Sequence, residues 1–238
     1  MALRLSSSYR TPAPAPPREG LLDLPLSSVP RRRVTARVLD VVVAGLALLV
    51  LAPAMALVAA VIVCASRGPA LFRQDRLGLG GRPFPMYKFR TMYVDCDDRI
   101  HREYVQRLLQ DPALARSGPD GLYKLVDDPR ITPVGRWLRR WSVDELPQLG
   151  NVLRGEMALV GPRPVLPWEA ALFSPRHAAR FQVPPGITGL WQTSGRNRLT
   201  MSEALELDIA YVQGQSLRLD VAILLRTIPV VLGRGGVR

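Results

Sequence analysis

Two adjacent carboxylates and several basic side chains lie close together in the stretch RRWSVDELPQLGNVLRGEMALVGPRP, residues 139–164. Asp144 comes five residues after Arg139, and Glu145 comes eighteen residues before Arg163. Arginine binds phosphate groups through paired hydrogen bonds, and a carboxylate can act as a nucleophile or as a ligand of a divalent cation. The stretch therefore indicates chemistry on a phosphorylated substrate.

A structural role for the same acids is the alternative. Ser142 and Glu145 form the S-x-x-E pattern of a capping box, and Asp144 also favours the start of a helix. Pro147 is harmless only if the helix begins near Asp144, so that the proline lies in its first turn. The acids would then stand charged at the positive end of a helix, where a nucleophile or a metal ligand is also useful.

Basic residues in two other motifs are candidates for phosphate binding. Arg163 lies in GPRP between prolines that restrict the backbone on both sides, and a rigidly held guanidinium suits a phosphate group. YKFRTM contributes Lys88 and Arg90, and the stretch above contributes Arg139. Each of these side chains could instead be an ordinary solvated charge on the surface.

An uncharged run of 26 residues from Val41 to Ser66 is long enough to cross a membrane. Pro53 lies near its centre, where it removes a backbone donor, and basic residues flank both ends. Since positive flanks tend to stay on the cytoplasmic side, these features favour a re-entrant helix over a straight span. The sequence thus predicts a membrane segment over 31–68 that breaks at Pro53, after a flexible tail over 1–30 rich in proline and serine.

The pattern over 69–238 predicts mainly helices, together with a strand. A strand is expected at 84–89 after the turn GLGG, and helices are expected at 200–213 and 216–232, the second either in the core or in the membrane interface. The formal net charge is +12, and its excess brackets the apolar run, as suits a surface on anionic lipids. The positive charge forms no stripe with interleaved aromatic residues, so nucleic acid is not an expected partner.

In their order along the chain, the motifs YKFRTM, VGRWLRRWSVDELPQLGNVLRGEMALVGPRP, PPGITGLWQTSGRN, DIAYV and SLRLD resemble the bacterial sugar transferases. These are monotopic polyprenyl-phosphate phosphoglycosyl transferases, and this chain is similar to their minimal form. The resemblance implies a membrane-associated α/β fold with a re-entrant helix, followed by a catalytic domain with interfacial amphipathic helices. It also implies the cytoplasmic face of the bacterial inner membrane.

The same resemblance implies transfer of a phosphosugar from a UDP-sugar to polyprenyl (undecaprenyl) phosphate, with release of UMP. Asp144 matches the nucleophile and a ligand of Mg²⁺, Glu145 matches its partner, and Lys88, Arg139 and Arg163 match the phosphate-binding residues. The expected partners are the donor, the lipid acceptor, the bilayer and, as one option, a second copy of the chain. The alternative is a catalytically inactive membrane scaffold of a polysaccharide assembly complex.

Overall fold

The computed structural model describes residues 34–94, 128–195 and 199–232 of the 238-residue chain, so the predicted tail lies outside the described residues. The helices are α1 Val34–Ala65, α2 Pro133–Arg140, α3 Gln148–Arg154, α4 Pro167–Ala170, α5 Leu190–Ser194, α6 Met201–Gly214 and α7 Leu217–Leu232. The strands are β1 Leu71–Leu77, β2 Pro83–Phe89, β3 Ala158–Val160 and β4 Gly186–Thr188, and 3₁₀ segments cover Leu79–Gly81, Val143–Glu145 and Pro175–Gln182. The prediction of a mainly helical chain with few strands is confirmed.

Helix α1 is the one helix among the described residues that is long and apolar enough to cross a membrane. Its large side chains are widely exposed, with Leu49 at 75% and Val50 at 73%. The helix continues through Pro53 without interruption, which corrects the predicted division into two helices. A proline removes one helical hydrogen bond, and a long apolar helix tolerates this loss because its other backbone bonds remain intact.

The N-terminal end of α1 is attached to the rest of the described fold by polar contacts. The guanidinium of Arg37 donates to the carbonyls of Val152 and Leu153 at 2.6 and 2.9 Å, and so caps the C-terminus of α3. The carboxylate of Asp40, which is buried, accepts a hydrogen bond of 3.0 Å from the backbone N–H of Leu159. Arg37 and Asp40 thus each bind the folded unit that follows α1 in the chain.

The C-terminal end of α1 packs on the same domain through apolar contacts. Ile62 is buried with Phe89 of β2 and Leu138 of α2. Because Phe89 belongs to the hairpin and Leu138 to the helix that precedes the acids, this end also lies against the elements that carry the candidate site. Both ends of the long helix therefore contact one folded unit.

Arg90 follows β2 and fixes the segment that leaves α1. Its guanidinium donates to the carbonyls of the four successive residues 66–69, at distances from 2.7 to 3.2 Å. The side chain is 6% exposed. The sequence grouped Arg90 with the phosphate-binding residues, but the structure directs its donors to the loop directly after α1, where they bind backbone carbonyls.

Strands β1 and β2 form an antiparallel hairpin in which Leu71 lies opposite Phe89 and Leu77 opposite Pro83. The turn between them needs glycine, since Gly80 and Gly81 have φ angles of 64° and 68°. This confirms the strand predicted after the GLGG turn, and it places the motif YKFRTM along β2 and just beyond it.

The main apolar core lies between α1, α3, β2, β3, α6 and α7. Strands β3 and β4 run parallel in its centre, with Val160 opposite Thr188. Gly186 must be glycine here because a Cβ would overlap the backbone nitrogen of Gly161. This close approach holds the chain that leads into GPRP against β4.

The two predicted C-terminal helices are confirmed as α6 and α7. Helix α6 begins with a capping box between Thr200 and Glu203. Helix α7 buries Ile223 completely, yet Val221, at 42%, and Leu225, at 62%, are exposed. The sequence left open whether α7 packs in the core or faces the membrane interface, and the helix has one face suited to each.

Replacing Arg90 by Lys tests the attachment at the end of α1. Lysine has a single ammonium group and cannot bind four carbonyls at once, so the free energy of unfolding is expected to fall by about 2 kcal/mol. Thermal unfolding in detergent measures the change. Arg73→Lys is the matched control, because Arg73 is 62% exposed and its ion pair with Asp75, at 3.6 Å, lies on the surface of the hairpin. Equal stability of the two variants would contradict this role for Arg90.

Candidate active site

The two adjacent acids lie in the 3₁₀ turn between α2 and α3. Ser142 precedes this turn with a φ angle of 55°, and no other non-glycine residue in the described part of the chain has a positive φ. Such a conformation is unfavourable for a residue with a side chain. Helix α3 begins only after Pro147, so the missing N–H of the proline removes no helical bond. The backbone is therefore strained at Ser142, two residues before Asp144.

The capping-box alternative does not hold for these acids. The side chain of Ser142 makes no capping hydrogen bond, and the carboxylate of Glu145 points to Lys88 instead. Only the backbone N–H of Glu145 binds Ser142, by donating to its carbonyl at 3.2 Å. The acidic side chains are therefore directed to other charged groups rather than to the end of a helix.

Glu145 lies between two cations. The Nζ atom of Lys88 on β2 donates to Oε1 of Glu145 at 3.1 Å, and an Nη atom of Arg163 lies 3.7 Å from the same oxygen. Burial lowers the pKa of Lys88, and the negative charge of Glu145 is the strongest influence in the opposite direction. Arg163 lowers this pKa further, while Asp144 raises it. The charges of Glu145, Arg163 and Asp144 therefore all influence the protonation of Lys88.

Arg139 is the basic neighbour of Asp144. It projects from the last turn of α2, and its Nε atom donates to the hydroxyl of Thr91 at 2.8 Å. Burial lowers the pKa of Arg139, and the charge of Asp144 is the largest opposing influence. Asp144 itself is only 9% exposed. A largely buried carboxylate thus faces a positive charge that favours its ionised form.

Arg163 is held in place through its backbone. The carbonyl of Arg163 accepts a hydrogen bond of 2.7 Å from Arg180, and the next carbonyl, that of Pro164, accepts one of 3.3 Å from Arg76. The N–H of Leu77 also donates to the carbonyl of Val165 at 2.9 Å. The side chain of Arg163 is 40% exposed and is therefore open to a ligand. The loop is rigid because of these bonds as well as its prolines.

Behind Arg163 lies a cavity of about 120 Å³. Its wall includes Arg76, Arg180 and Asp208, together with Phe173 and Trp191. None of these residues was predicted as part of the site. Asp208 lies in the motif DIAYV, and Thr91, the partner of Arg139, lies in YKFRTM. Their place in these motifs was the feature of the sequence that could have indicated a role in the site. Their residue types alone did not distinguish them from ordinary surface residues.

The predicted site residues separate into two groups. Lys88, Glu145 and Arg163 are in direct contact, and Asp144 and Arg139 interact with them through charge. Two predicted residues lie elsewhere: Arg90 binds the end of α1, and Pro53 lies within that helix.

Two carboxylates are a suitable partial ligand set for Mg²⁺. The described residues contain no group of three or more His, Cys, Asp or Glu side chains that could hold a metal ion by themselves. Magnesium commonly takes one or two carboxylates and completes its shell with water and substrate phosphate oxygens. Asp144 and Glu145 fit that pattern, in which the cation is shared with a phosphorylated ligand.

Two carboxylates among Lys88, Arg139 and Arg163, in a chain with a long exposed apolar helix, are typical of a membrane-associated protein that binds phosphate groups. The chain belongs to the bacterial sugar transferase family, whose sequence model matches residues 31–234. The match includes α1 and every described element after it. The resemblance drawn from the motifs is confirmed.

Several curated relatives share this region. The UDP-glucose:undecaprenyl-phosphate glucose-1-phosphate transferase of Caulobacter vibrioides is 45% identical over 204 residues, covering 82% of this chain and 69% of that protein. The exopolysaccharide production protein ExoY of Sinorhizobium fredii is 41% identical over 203 residues, covering 85% and 88%. The UDP-galactose-lipid carrier transferase of Erwinia amylovora is 41% identical over 204 residues, and the chain spans 86% of its own length but only 42% of that relative.

Replacing Glu145 by Gln is expected to lower the pKa of Lys88 further, because Glu145 is the main charge that opposes the effect of burial. The chain contains only two lysines, Lys88 and Lys124, so a pH titration by NMR with isotope-labelled lysine gives two side-chain signals. Asp75→Asn, which removes an exposed carboxylate on the hairpin, is the matched control and is expected to leave the Lys88 titration unchanged. An unchanged Lys88 titration would show that Glu145 does not support the ammonium charge.

Proposed function

We propose that this protein transfers a phosphosugar from a UDP-sugar to polyprenyl (undecaprenyl) phosphate, releasing UMP, as the first membrane step of exopolysaccharide assembly. One observation carries the proposal: Asp144 and Glu145 lie together among Lys88, Arg139 and Arg163. The names of the relatives support the substrate class, since one is named as a UDP-glucose:undecaprenyl-phosphate glucose-1-phosphate transferase. The particular sugar is left open, because relatives named for glucose and for galactose both match.

Asp144 is the proposed nucleophile of the first step. One of its carboxylate oxygens attacks the sugar-bearing phosphorus of the donor and forms a phospho-aspartyl bond, while the bond from that phosphorus to UMP breaks. UMP leaves with the electron pair of the broken bond. The neighbouring charge of Arg139 favours the ionised, nucleophilic form of Asp144.

Lys88 and Arg163 hold the phosphate oxygens of the donor. A carboxylate and a diphosphate repel each other, and fixed cations between them reduce this repulsion as negative charge develops on the leaving UMP. Arg163 is well placed for this role because its side chain is exposed while its backbone is fixed. Glu145 aligns both cations, since its Oε1 atom lies near each of them.

In the second step, an oxygen of polyprenyl phosphate attacks the same phosphorus and the Asp144 carboxylate leaves. The product is a polyprenyl-diphosphate-linked sugar, and the free carboxylate is restored. Covalent catalysis suits this pair of substrates, because the soluble donor and the lipid acceptor need not be bound at the same time.

Mg²⁺ is the proposed cofactor. Asp144 and Glu145 would hold it together with phosphate oxygens of the donor. When bound, the cation neutralises negative charge on the diphosphate. The chain's own cations, Lys88 and Arg163, would act on the same negative charge.

The proposed location is the cytoplasmic face of the bacterial inner membrane, with α1 re-entrant. Arg37 at one end of α1 and Ile62 at the other contact the same folded unit, so both ends belong on one side of the bilayer. Pro53 lies between them, at the place where the helix has one hydrogen bond fewer and bends most easily. The exposed apolar face of α7 extends the surface that meets lipid.

Asp144→Asn is expected to abolish UMP release, with at least a ~10³-fold loss, because the neutral amide is no nucleophile. The assay incubates purified protein with UDP-glucose or UDP-galactose, Mg²⁺ and polyprenyl phosphate. Asp75→Asn is the matched control; Asp75 is 57% exposed on the hairpin and should tolerate the change.

A donor labelled in the sugar-bearing phosphate distinguishes the outcomes. The label is expected on Asp144 when the acceptor is omitted, and a label on another residue would contradict the assignment. Failure of the unaltered protein to release UMP from either donor would favour the membrane scaffold instead.

Single cysteines test the orientation of α1, after Cys64 and Cys96 have been replaced by Ser. Cysteines at Val34, which is 79% exposed, and at Arg73 after the helix are both expected to react with an impermeant maleimide only when the membrane is opened. A cysteine at Leu49, midway along the helix, is the control that stays unlabelled. Labelling of either flank in intact spheroplasts would contradict the re-entrant arrangement.

A further inference from the structure

Arg180 joins helix α6 to the backbone of the phosphate-binding loop. One nitrogen of its guanidinium donates to the carbonyl of Arg163 at 2.7 Å and to Oδ2 of Asp208 at 2.6 Å. Arg180 is 4% exposed and Asp208 is 2% exposed. A carboxylate on α6 is thus linked, through one buried side chain, to the residue whose own side chain lies beside Glu145.

The buried ion pair of Arg180 and Asp208 is not needed merely to fill the core. A buried ion pair loses the hydration of both charges and is often no more stable than apolar residues of the same size. The guanidinium of Arg180 also lies over the rings of Phe173 and Phe181, at 5.4 and 5.9 Å from their centres, surroundings that apolar side chains would fill equally well. What the charged pair adds is direction, because its hydrogen bonds fix one carbonyl in place.

A second buried carboxylate nearby shows the difference between positioning Arg163 and supporting the fold. Asp220 on α7 is also 2% exposed, and its Oδ1 accepts a hydrogen bond of 2.7 Å from Tyr211. The Tyr211 hydroxyl lies 3.1 Å from the carbonyl of Val160, at the end of β3. Asp220 therefore supports the strand before GPRP, whereas Asp208 acts on the carbonyl of Arg163 itself.

We propose that Asp208 is a positioning residue for the donor site: through Arg180 it fixes the backbone of Arg163, so that the Arg163 guanidinium stays directed toward the acidic pair. This inference rests on the proposed function for the identity of the ligand. It assigns a role to the DIAYV motif, which the catalytic step itself does not use. Asp208 touches no reacting atom, and its effect passes entirely through Arg163.

A double-mutant cycle tests the path through Arg163. Binding of UDP-glucose or UDP-galactose, whichever binds more tightly, is measured by calorimetry in an Asp144→Asn background, so that the donor is not consumed. Asp208→Asn is expected to weaken binding about tenfold when Arg163 is present and less than about twofold when Arg163 is replaced by Ala. Equal losses in both backgrounds would overturn the inference and leave only a structural role for Asp208.

Asp220→Asn is the matched control. It removes an equally buried carboxylate and is expected to lower the thermal midpoint, while donor binding stays within about twofold. A tenfold loss of binding in this variant would show that any damage to the core disturbs the site, and would also overturn the inference.

UMP release by the protein with Asp144 intact is measured separately. If Asp208→Asn weakens donor binding only when Arg163 is present, but the protein with Asp144 intact releases no UMP, the proposed function is contradicted. The positioning role of Asp208 is then still supported.

The pH dependence of donor binding gives a test that needs no substitution at Asp208. Burial raises the pKa of Asp208 to about 6, against the opposing charges of Arg180 and Arg163; Arg76 and Glu169 line the same cavity. Protonation below this pH removes the charge that holds Arg180. Donor binding is therefore expected to weaken from about pH 7.5 to about pH 5.5, and to do so less in Arg163→Ala. The same weakening in both proteins would contradict the inference.

Discussion

The contact between Glu145 and Lys88 is the interaction on which the acidic site depends. A buried ammonium group is unfavourable unless a counter-charge lies beside it, and Glu145 supplies that charge at 3.1 Å while it also lies 3.7 Å from Arg163. The two cations consequently lie near Asp144 before any ligand arrives. A diphosphate that binds there meets an arrangement of charges that is already ordered, so little free energy is spent on reorganising it.

The sheets in the described part of the chain are too small to hold the site by strand pairing alone, since each has two strands. Arginine side chains bound to backbone carbonyls also hold these segments in place. Arg90 fixes the end of α1, Arg37 caps α3, and Arg180 fixes the loop of Arg163. Arginine suits this use because its several donors can bind carbonyls from neighbouring residues at once. A chain rich in arginine therefore has a structural use for many of its positive charges.

The sequence was sufficient for features that depend on local pattern. The long apolar helix, the strand after GLGG and the two C-terminal helices follow from composition and spacing, and the acids with Lys88, Arg139 and Arg163 follow from the motifs. Features that depend on distant contacts were not accessible. Glu145 satisfies the capping pattern with Ser142, yet it pairs with Lys88, which lies 57 positions away in the chain. Arg90 and Lys88 are both basic residues of the motif YKFRTM, so the sequence assigns them the same role. They differ in the structure because the loop after α1 lies beside Arg90 and places its carbonyls there.

The cap that Arg37 places on α3 links the membrane helix to the acids mechanically. Helix α3 has seven residues and is about 10 Å long, with Arg37 bound at one end and the acidic turn before the other. In the proposed membrane arrangement, a change in the tilt of α1, such as a thicker or thinner bilayer imposes, is expected to shift α3 and the acidic turn together. The distance between the acids and the lipid phosphates is then expected to depend partly on acyl-chain length.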